Sequence, residues 1–425
     1  MRSNIDQVFR EVPYMGVIYV VHEASKRGFR NLHPDWCNLG QGQPEVGEMK
    51  GAPPRLATLK IDPTDLAYGP VGGIDDLKQA VADYYNRLYR RGKRSQYRKE
   101  NVAIAAGGRL VLSRLVAALG ACRLGHLVPD YTAYEDLFEY HQHRVEPVAI
   151  ATGPETGFHL SPGQIGEIVE RERLQALLFS NPCNPTGNVV QGNDLAGYLK
   201  LARDRNVWLL LDEFYSHFIY EGDGAPGSGG VSGAEFVDDC DRDPVVLIDG
   251  LTKNFRYPGL RVGWAVGPSE IIENIARSAS AIDGGPPTVM QRAAVEILEP
   301  ARVDQETTAL REQFAIKRAV MIDALQGMGI EIARPGRGTF YLWGSVRNLP
   351  APLNDADAFF LRGLDEKVMT VPGRFFDVNP GRRRNQPHID SSWVRFSFGP
   401  PLDNVKLGLD RLRRMVKSER SWRAA

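Results

Sequence analysis

The sequence predicts an α/β protein built on a mostly parallel sheet. Short runs of β-branched residues and leucine alternate with helical apolar periods through the middle of the chain, the pattern of strands joined by covering helices. A chain of 425 residues, 43% hydrophobic and 24% charged, is also long enough for two folded domains sharing a large core. The expected strands are 101–105, 177–180, 207–211, 245–248 and 262–266. Ile74, Leu77, Val81, Tyr84 and Leu88 mark one apolar helix face, and Leu195, Leu199 and Ala202 mark another, opened by Asp194 as an expected cap. Beyond Pro300 the chain turns more charged and helical. Shorter strands follow at 339–343 and 394–397, and a closing helix runs through Val405, Leu409, Leu412 and Val416. The expected division is a large domain at 51–300 and a smaller C-terminal domain at 301–425, to which the N-terminal segment 1–50 contributes. The Gly- and Pro-rich stretches 221–233 and 378–391 are expected as exposed loops or lids.

Bulk charge excludes some partners. The 52 basic and 52 acidic side chains cancel, so no net field favours nucleic acid or an anionic membrane. Of two local basic runs, Arg90 to Lys99 is read as a solvated turn, and Arg382-Arg383-Arg384 either reaches a substrate side chain or is solvated. Cys37, Cys122, Cys183 and Cys240 are widely spaced without a C-x-x-C pair, which points away from disulfides and zinc and toward a reducing cytoplasm. No metal site is expected, since His141 and His143 lack further ligands at metal spacing. The start of the chain lacks the apolar core of a secretion signal, and no stretch is apolar enough to span a bilayer.

The chemistry is expected at strand ends, because ligands of open α/β sheets bind at the carboxyl edge. Asp212 ends the run Val207-Trp208-Leu209-Leu210-Leu211, where a carboxylate is costly unless a cation or donors meet it; read blandly, it caps the next segment. Tyr215 brings a phenol to the same turn. Lys253 follows Val245-Val246-Leu247-Ile248, and a desolvated lysine has a neutral amine able to form an imine with an aldehyde, although a lone lysine is usually a surface residue. Arg261 precedes another strand, where its fork fits a phosphate. Gly107-Gly108-Arg109 joins a strand to a helix start, a weak anion-binding signal by itself. Gly40-x-Gly42 is no dinucleotide fingerprint, since Pro44 interrupts the helix that motif needs. Asn184-Pro185-Thr186-Gly187 is a fixed turn after a strand.

Taken together, these residues resemble the class I and II aminotransferases, the aspartate aminotransferase-like branch of the fold type I pyridoxal-phosphate enzymes. The resemblance runs through Asn38-Leu39-Gly40-Gln41-Gly42-Gln43-Pro44, Tyr68-Gly69-Pro70-Val71-Gly72-Gly73, Asn184-Pro185-Thr186-Gly187, Asp212-Glu213-Phe214-Tyr215, Thr252-Lys253, Arg261-Val262-Gly263-Trp264 and Val394-Arg395-Phe396-Ser397. It implies a large cofactor-binding domain with a smaller α+β domain, pyridoxal 5'-phosphate as cofactor, and amino acids and 2-oxo acids as substrates. By the resemblance Lys253 holds the cofactor as a Schiff base and later moves a proton between the substrate α-carbon and the cofactor. Asp212 pairs with the ring nitrogen, keeping the ring electron-accepting. Asn184 and Tyr215 bond the ring oxygen, and Tyr131 stacks on the ring. Gly108, Arg109, Thr252 and Arg261 hold the phosphate, Arg395 grips the substrate carboxylate and Gly42 lines its pocket. Tyr68 reaches the phosphate across a homodimer interface, so that active sites are shared.

The chain departs from the family in places. Gly108 and Gly250 stand where some members carry a hydroxyl, and the loop 378–391 with its three arginines is longer than expected. Arg109 matches a lysine that touches the distal carboxylate in one subgroup, which makes an acidic donor a candidate; a solvent-facing side chain is the plain alternative. Two rivals stay open at this point. One is a pyridoxal-phosphate lyase, synthase or oxidase on the same scaffold. The other is a non-catalytic cofactor-binding module, against which the lack of a preceding winged-helix segment counts.

Overall fold

Apolar runs and amphipathic periods become a layered sheet in the computed structural model, which describes residue 9 and residues 12–31, 33–220, 230–332 and 334–424. The chain begins with α1 (Gly16–Ser25) and the two-residue β1 (Cys37–Asn38), followed by α2 (Asp75–Tyr89), β2 (Val102–Ala105) and α3 (Gly108–Ala118). Then come β3 (Cys122–Val128), α4 (Ala133–His141), β4 (Val145–Ala151), α5 (Pro162–Glu172), β5 (Ala176–Ser180), α6 (Gly192–Arg205), β6 (Trp208–Asp212), β7 (Val245–Gly250) and β8 (Gly263–Val266). Helices α7 (Ser269–Arg277), α8 (Ala279–Ile282), α9 (Thr288–Ile297) and the long α10 (Pro300–Gly327) lead to β9 (Tyr341–Ser345) and α11 (Ala356–Asp365). The chain closes with β10 (Val368–Met369), β11 (Val371–Pro372), β12 (Trp393–Ser397) and α12 (Leu402–Ala424).

Seven strands form the central sheet in the order β2-β8-β7-β6-β5-β3-β4, parallel except for β8, which runs against both neighbours. Helices cover both faces, so the central strands are buried on both sides and alternate residues feed two cores. Leu209, Leu211, Val245 and Leu247 face one core, while Leu210, Val246 and Ile248 face the other. The second core continues into the C-terminal part of the chain through Phe314, Tyr341, Phe396 and Leu409. There, β11-β12-β9 form an antiparallel sheet, and β1 pairs in parallel with β10.

Several local expectations change. β3 and β4 lie outside the expected strands, because Gly125 and His126 interrupt the apolar run of one and Glu146 and Pro147 that of the other. Asp194 does not cap α6: the helix begins at Gly192 after Gln191, and the Asp194 carboxylate sits in the first turn, 2.9 Å from His159 Nε2. Arg90 is not a solvated turn residue. It is fully buried, and its guanidinium donates to the carbonyls of Ser95, Ala234 and Val237, tying the end of α2 to the segment that precedes β7. The strand expected at 339–343 starts later, at Tyr341, after Thr339 takes a left-handed conformation (φ 63°). Most of the 221–233 loop lies outside the described residues. The 378–391 segment is largely exposed, and a 2.8 Å ion pair between Arg384 and Asp377 ties it down.

Candidate active site

The parallel strands end along one rim. Asp212 closes β6, Asn184 lies on the turn after β5, Lys253 follows β7, Gly107 and Gly108 follow β2, and Tyr131 follows β3. Arg261 precedes a strand instead of following one, yet it reaches the same rim because β8 is reversed. The amino end of β8, at Gly263, pairs with both Ala105 and Gly250, the carboxyl ends of β2 and β7. Arg261 itself has a left-handed backbone (φ 53°), a conformation that costs a non-glycine residue about 1 kcal/mol or more and that here aims its guanidinium back over the rim.

These side chains surround a cavity of about 350 Å³. Gly42, Gly108, Arg109, Tyr131, Asn184, Asp212, Tyr215, Thr252, Lys253, Arg261 and Arg395 all line it. Tyr68 does not; its ring is fully exposed on this chain. Neither do Arg382, Arg383 and Arg384: Arg383 donates to Gln142 and Arg384 to Asp377.

Lys253 projects into the cavity from walls that surround it with protein, and its ammonium donates to the Gly42 carbonyl. Burial, reinforced by the charges of Arg395, Arg261 and Arg109, pulls its pKa down to about 7. Its loop is fixed by the next residue. Asn254 Nδ2 donates to both oxygens of buried Asp249 (2.9 and 3.0 Å) and to Ser216 Oγ (3.0 Å), while its Oδ1 accepts from His217 N–H (3.1 Å). Asp212 is buried, and desolvation raises its pKa to about 6 against the lowering effects of the Tyr134 hydroxyl (3.0 Å), the Phe214 N–H and Lys253.

Arg395 is buried in the wall of the same cavity. Its Nη1 donates to Asn184 Oδ1 (2.7 Å) and its Nη2 to the Gly40 carbonyl (2.6 Å), whereas its buried Nε has no partner. Its guanidinium carbon lies 4.1 Å from the Tyr341 ring centre and 4.9 Å from that of Phe376. An unsatisfied guanidinium N–H beside a cavity is a place for a carboxylate.

The start of α3 is an anion cradle of the kind helix amino ends provide, since the first N–H groups have no partner within the helix. A Cβ at Gly107 (φ 94°) would stand 2.2 Å from Arg261 Nη2, and one at Gly108 would stand 2.4 Å from the Phe214 ring. Only glycine lets Arg261 close over these amides. An anion cradle, a buried carboxylate, a lysine whose proton is weakly held, and the polar groups of Asn184 and Tyr215 line one cavity and form a donor set that fits pyridoxal 5'-phosphate.

Sequence reasoning missed some of the residues here. Tyr341 lines the cavity and shares a 2.8 Å hydrogen bond with Tyr215; Tyr134 donates to Asp212; Met15 and Val17, at the start of α1, close one side. Asp130, pushed up to about 8 by burial, accepts from the Tyr131 N–H (2.7 Å) and from Ser180 Oγ, and Ser180 Oγ in turn accepts from the Asn184 N–H (3.0 Å). No sequence signal singles out Tyr134, because an aromatic residue in the first turn of α4 reads as core.

Residues 34–412 match the model of the family described as aminotransferase class I and II. The chain belongs to that family. As an aminotransferase it moves an amino group between an amino acid and a 2-oxo acid, and nothing favours the lyase, synthase or oxidase alternative. An aspartate aminotransferase of Sulfurisphaera tokodaii is 26% identical over 388 residues, covering 89% of this aminotransferase and 89% of that one. A valine–pyruvate aminotransferase of Mycobacterium tuberculosis is 27% identical over 414 residues, covering 96% and 97%. Among solved structures, Thermus thermophilus aspartate aminotransferase with maleate superposes with a TM-score of 0.76 at 23% identity, over 98% of this chain and 100% of that one, a likeness of fold. The sheet order and the smaller antiparallel sheet are accordingly those of a fold type I aminotransferase.

Proposed function

We propose that this aminotransferase works with pyridoxal 5'-phosphate attached to Lys253. The observation that carries the proposal is the pairing of a lysine whose amine is half neutral near pH 7 with a buried carboxylate across one cavity. When bound, the cofactor supplies an aldehyde that exchanges amino groups and a ring that accepts electrons. Asp212 holds a positive charge at the ring nitrogen. Gly108, Arg109, Thr252 and Arg261 hold the phosphate, Tyr131 covers the ring face, and Asn184 and Tyr215 bond its oxygen. Arg395 orients the amino acid by its α-carboxylate beside Gly42, and the neutral Lys253 amine moves the proton at the substrate α-carbon.

Residues 51–300 form the cofactor-binding unit in this reading, and 1–50 join 301–425 in the smaller one. The working form is a homodimer in which the exposed Tyr68 of each subunit completes the partner's site. The unpaired cysteines support a reducing, cytoplasmic setting, and no helix among the described residues is long and apolar enough to cross a membrane.

Arg109 puts a cation at the cavity mouth, its Nε 3.4 Å from the Tyr131 hydroxyl, which favours a donor with a second carboxylate. A panel of amino donors with purified protein, followed by cofactor absorbance and 2-oxo acid formation, tests the proposal. Accepted donors yield their 2-oxo acid without ammonia; ammonia release, or no product from any donor, contradicts it. In Arg109→Ala, kcat/KM for aspartate and glutamate is expected to fall roughly ten- to a hundredfold more than for alanine or leucine, the value of a charge-assisted hydrogen bond. Equal losses remove the acidic-donor assignment.

A further inference from the structure

Tyr341 begins β9, where successive side chains turn to opposite sides. Phe340 packs into the aromatic core against Phe218 (5.0 Å) and Phe314 (6.0 Å), and Tyr341 faces the cavity. Two contacts then meet on one side chain. Its hydroxyl lies 2.8 Å from the Tyr215 hydroxyl, and its ring face lies 4.1 Å from the Arg395 guanidinium carbon. The same hydroxyl presses on Gly42, where a Cβ would stand 2.5 Å from the Tyr341 oxygen and 3.8 Å from Lys253 Nζ. The titratable groups facing it are therefore Tyr215, Arg395, Lys253 and Tyr131.

We propose that Tyr341 is a positioning residue for two groups of the site: its hydroxyl directs the Tyr215 phenol and its ring seats the Arg395 guanidinium. The inference rests on the functional reading above. A phenol has one proton. If Tyr215 is to donate into the cavity, its oxygen accepts from Tyr341, and a donor that is itself accepting is polarised and strengthened. The ring acts separately. Arg395 has two fixed hydrogen bonds and an Nε without a partner, and the aromatic face beneath it holds the guanidinium plane that a carboxylate must meet edge-on. A buried tyrosine that only fills space would affect neither group selectively.

Tyr341→Phe and Tyr341→Leu separate the two contributions in holoenzyme. In Tyr341→Phe, the pH midpoint of the bound cofactor's visible absorbance change is expected to rise by roughly half a unit, because the Tyr215 bond that favours the deprotonated chromophore weakens. KM for the amino donor should stay within about twofold, since the ring remains under Arg395. Tyr341→Leu should repeat the shifted midpoint and also raise KM about tenfold as the cation loses its aromatic seat. An unmoved midpoint in Tyr341→Phe overturns the hydroxyl's role, and an unmoved KM in folded Tyr341→Leu overturns that of the ring. If Tyr341→Leu fails to fold, Tyr341→Phe decides the proposal by its midpoint alone. A wild-type chain with no cofactor band contradicts the functional reading itself, whereas a normal wild-type band with unmoved variants contradicts only the role of Tyr341.

Discussion

A free lysine amine is protonated until the pH approaches ~10.4, so it is a poor nucleophile in neutral solution. At position 253 burial and three nearby guanidinium groups bring that transition to about 7. Covalent labelling of Lys253 in cofactor-free protein is therefore expected to rise between pH 6 and 8 and then level off, as measured by peptide mass spectrometry. A rate that keeps climbing toward pH 10 would show an ordinary, solvated amine. Linkage gives the same sign: the folded state binds its proton less tightly than the unfolded chain, so from about pH 7 upward this group penalises folding progressively less. At this scale the sequence was legible wherever a polar residue broke an apolar strand end, as Asp212 does, or followed one closely, as Lys253 does. Tyr341 and Tyr134 were not legible, because an aromatic residue in a strand or on a helix face reads as core until the fold shows which way it points.

At the scale of elements, the site depends on where strands stop and on how closely turns approach one another. Gly107 is the sharpest case, with a left-handed φ of 94° and no room for a Cβ beneath Arg261. Gly107→Ala is expected to weaken pyridoxal 5'-phosphate binding at least about tenfold in a spectroscopic titration while the chain stays folded, because the added methyl displaces an arginine side chain and not the core. Undiminished affinity would show that the cradle does not hold the phosphate. β8 explains why Arg261 was found from sequence for an incomplete reason. A strand entrance reaches the carboxyl edge of a parallel sheet only if that strand is reversed, and no periodicity encodes strand direction. β3 and β4 escaped for a different reason, since Pro147 and Gly125 break the apolar pattern although pairing with neighbours still makes them strands.

The whole molecule carries balanced charge, and one of its cores runs from the large sheet into the C-terminal part; the fold class was readable because alternation of strand and helix dictates it. A second subunit enters the proposed function only through Tyr68, whose side chain is fully exposed on this chain. Mixing Tyr68→Ala with Lys253→Ala subunits and allowing exchange is expected to restore activity, because one site of each hybrid has Lys253 from one chain and Tyr68 from the other. Random exchange of equal amounts gives about a quarter of the wild-type rate. A mixture no more active than its parents would argue that each chain completes its own site.

The covalent link at Lys253 underlies all of these expectations. Reduction of the native holoenzyme with borohydride, followed by proteolysis and mass spectrometry, reports it directly. A pyridoxyl group on the peptide containing Lys253 is the expected result; an unmodified Lys253, or a label on another lysine, would contradict the account.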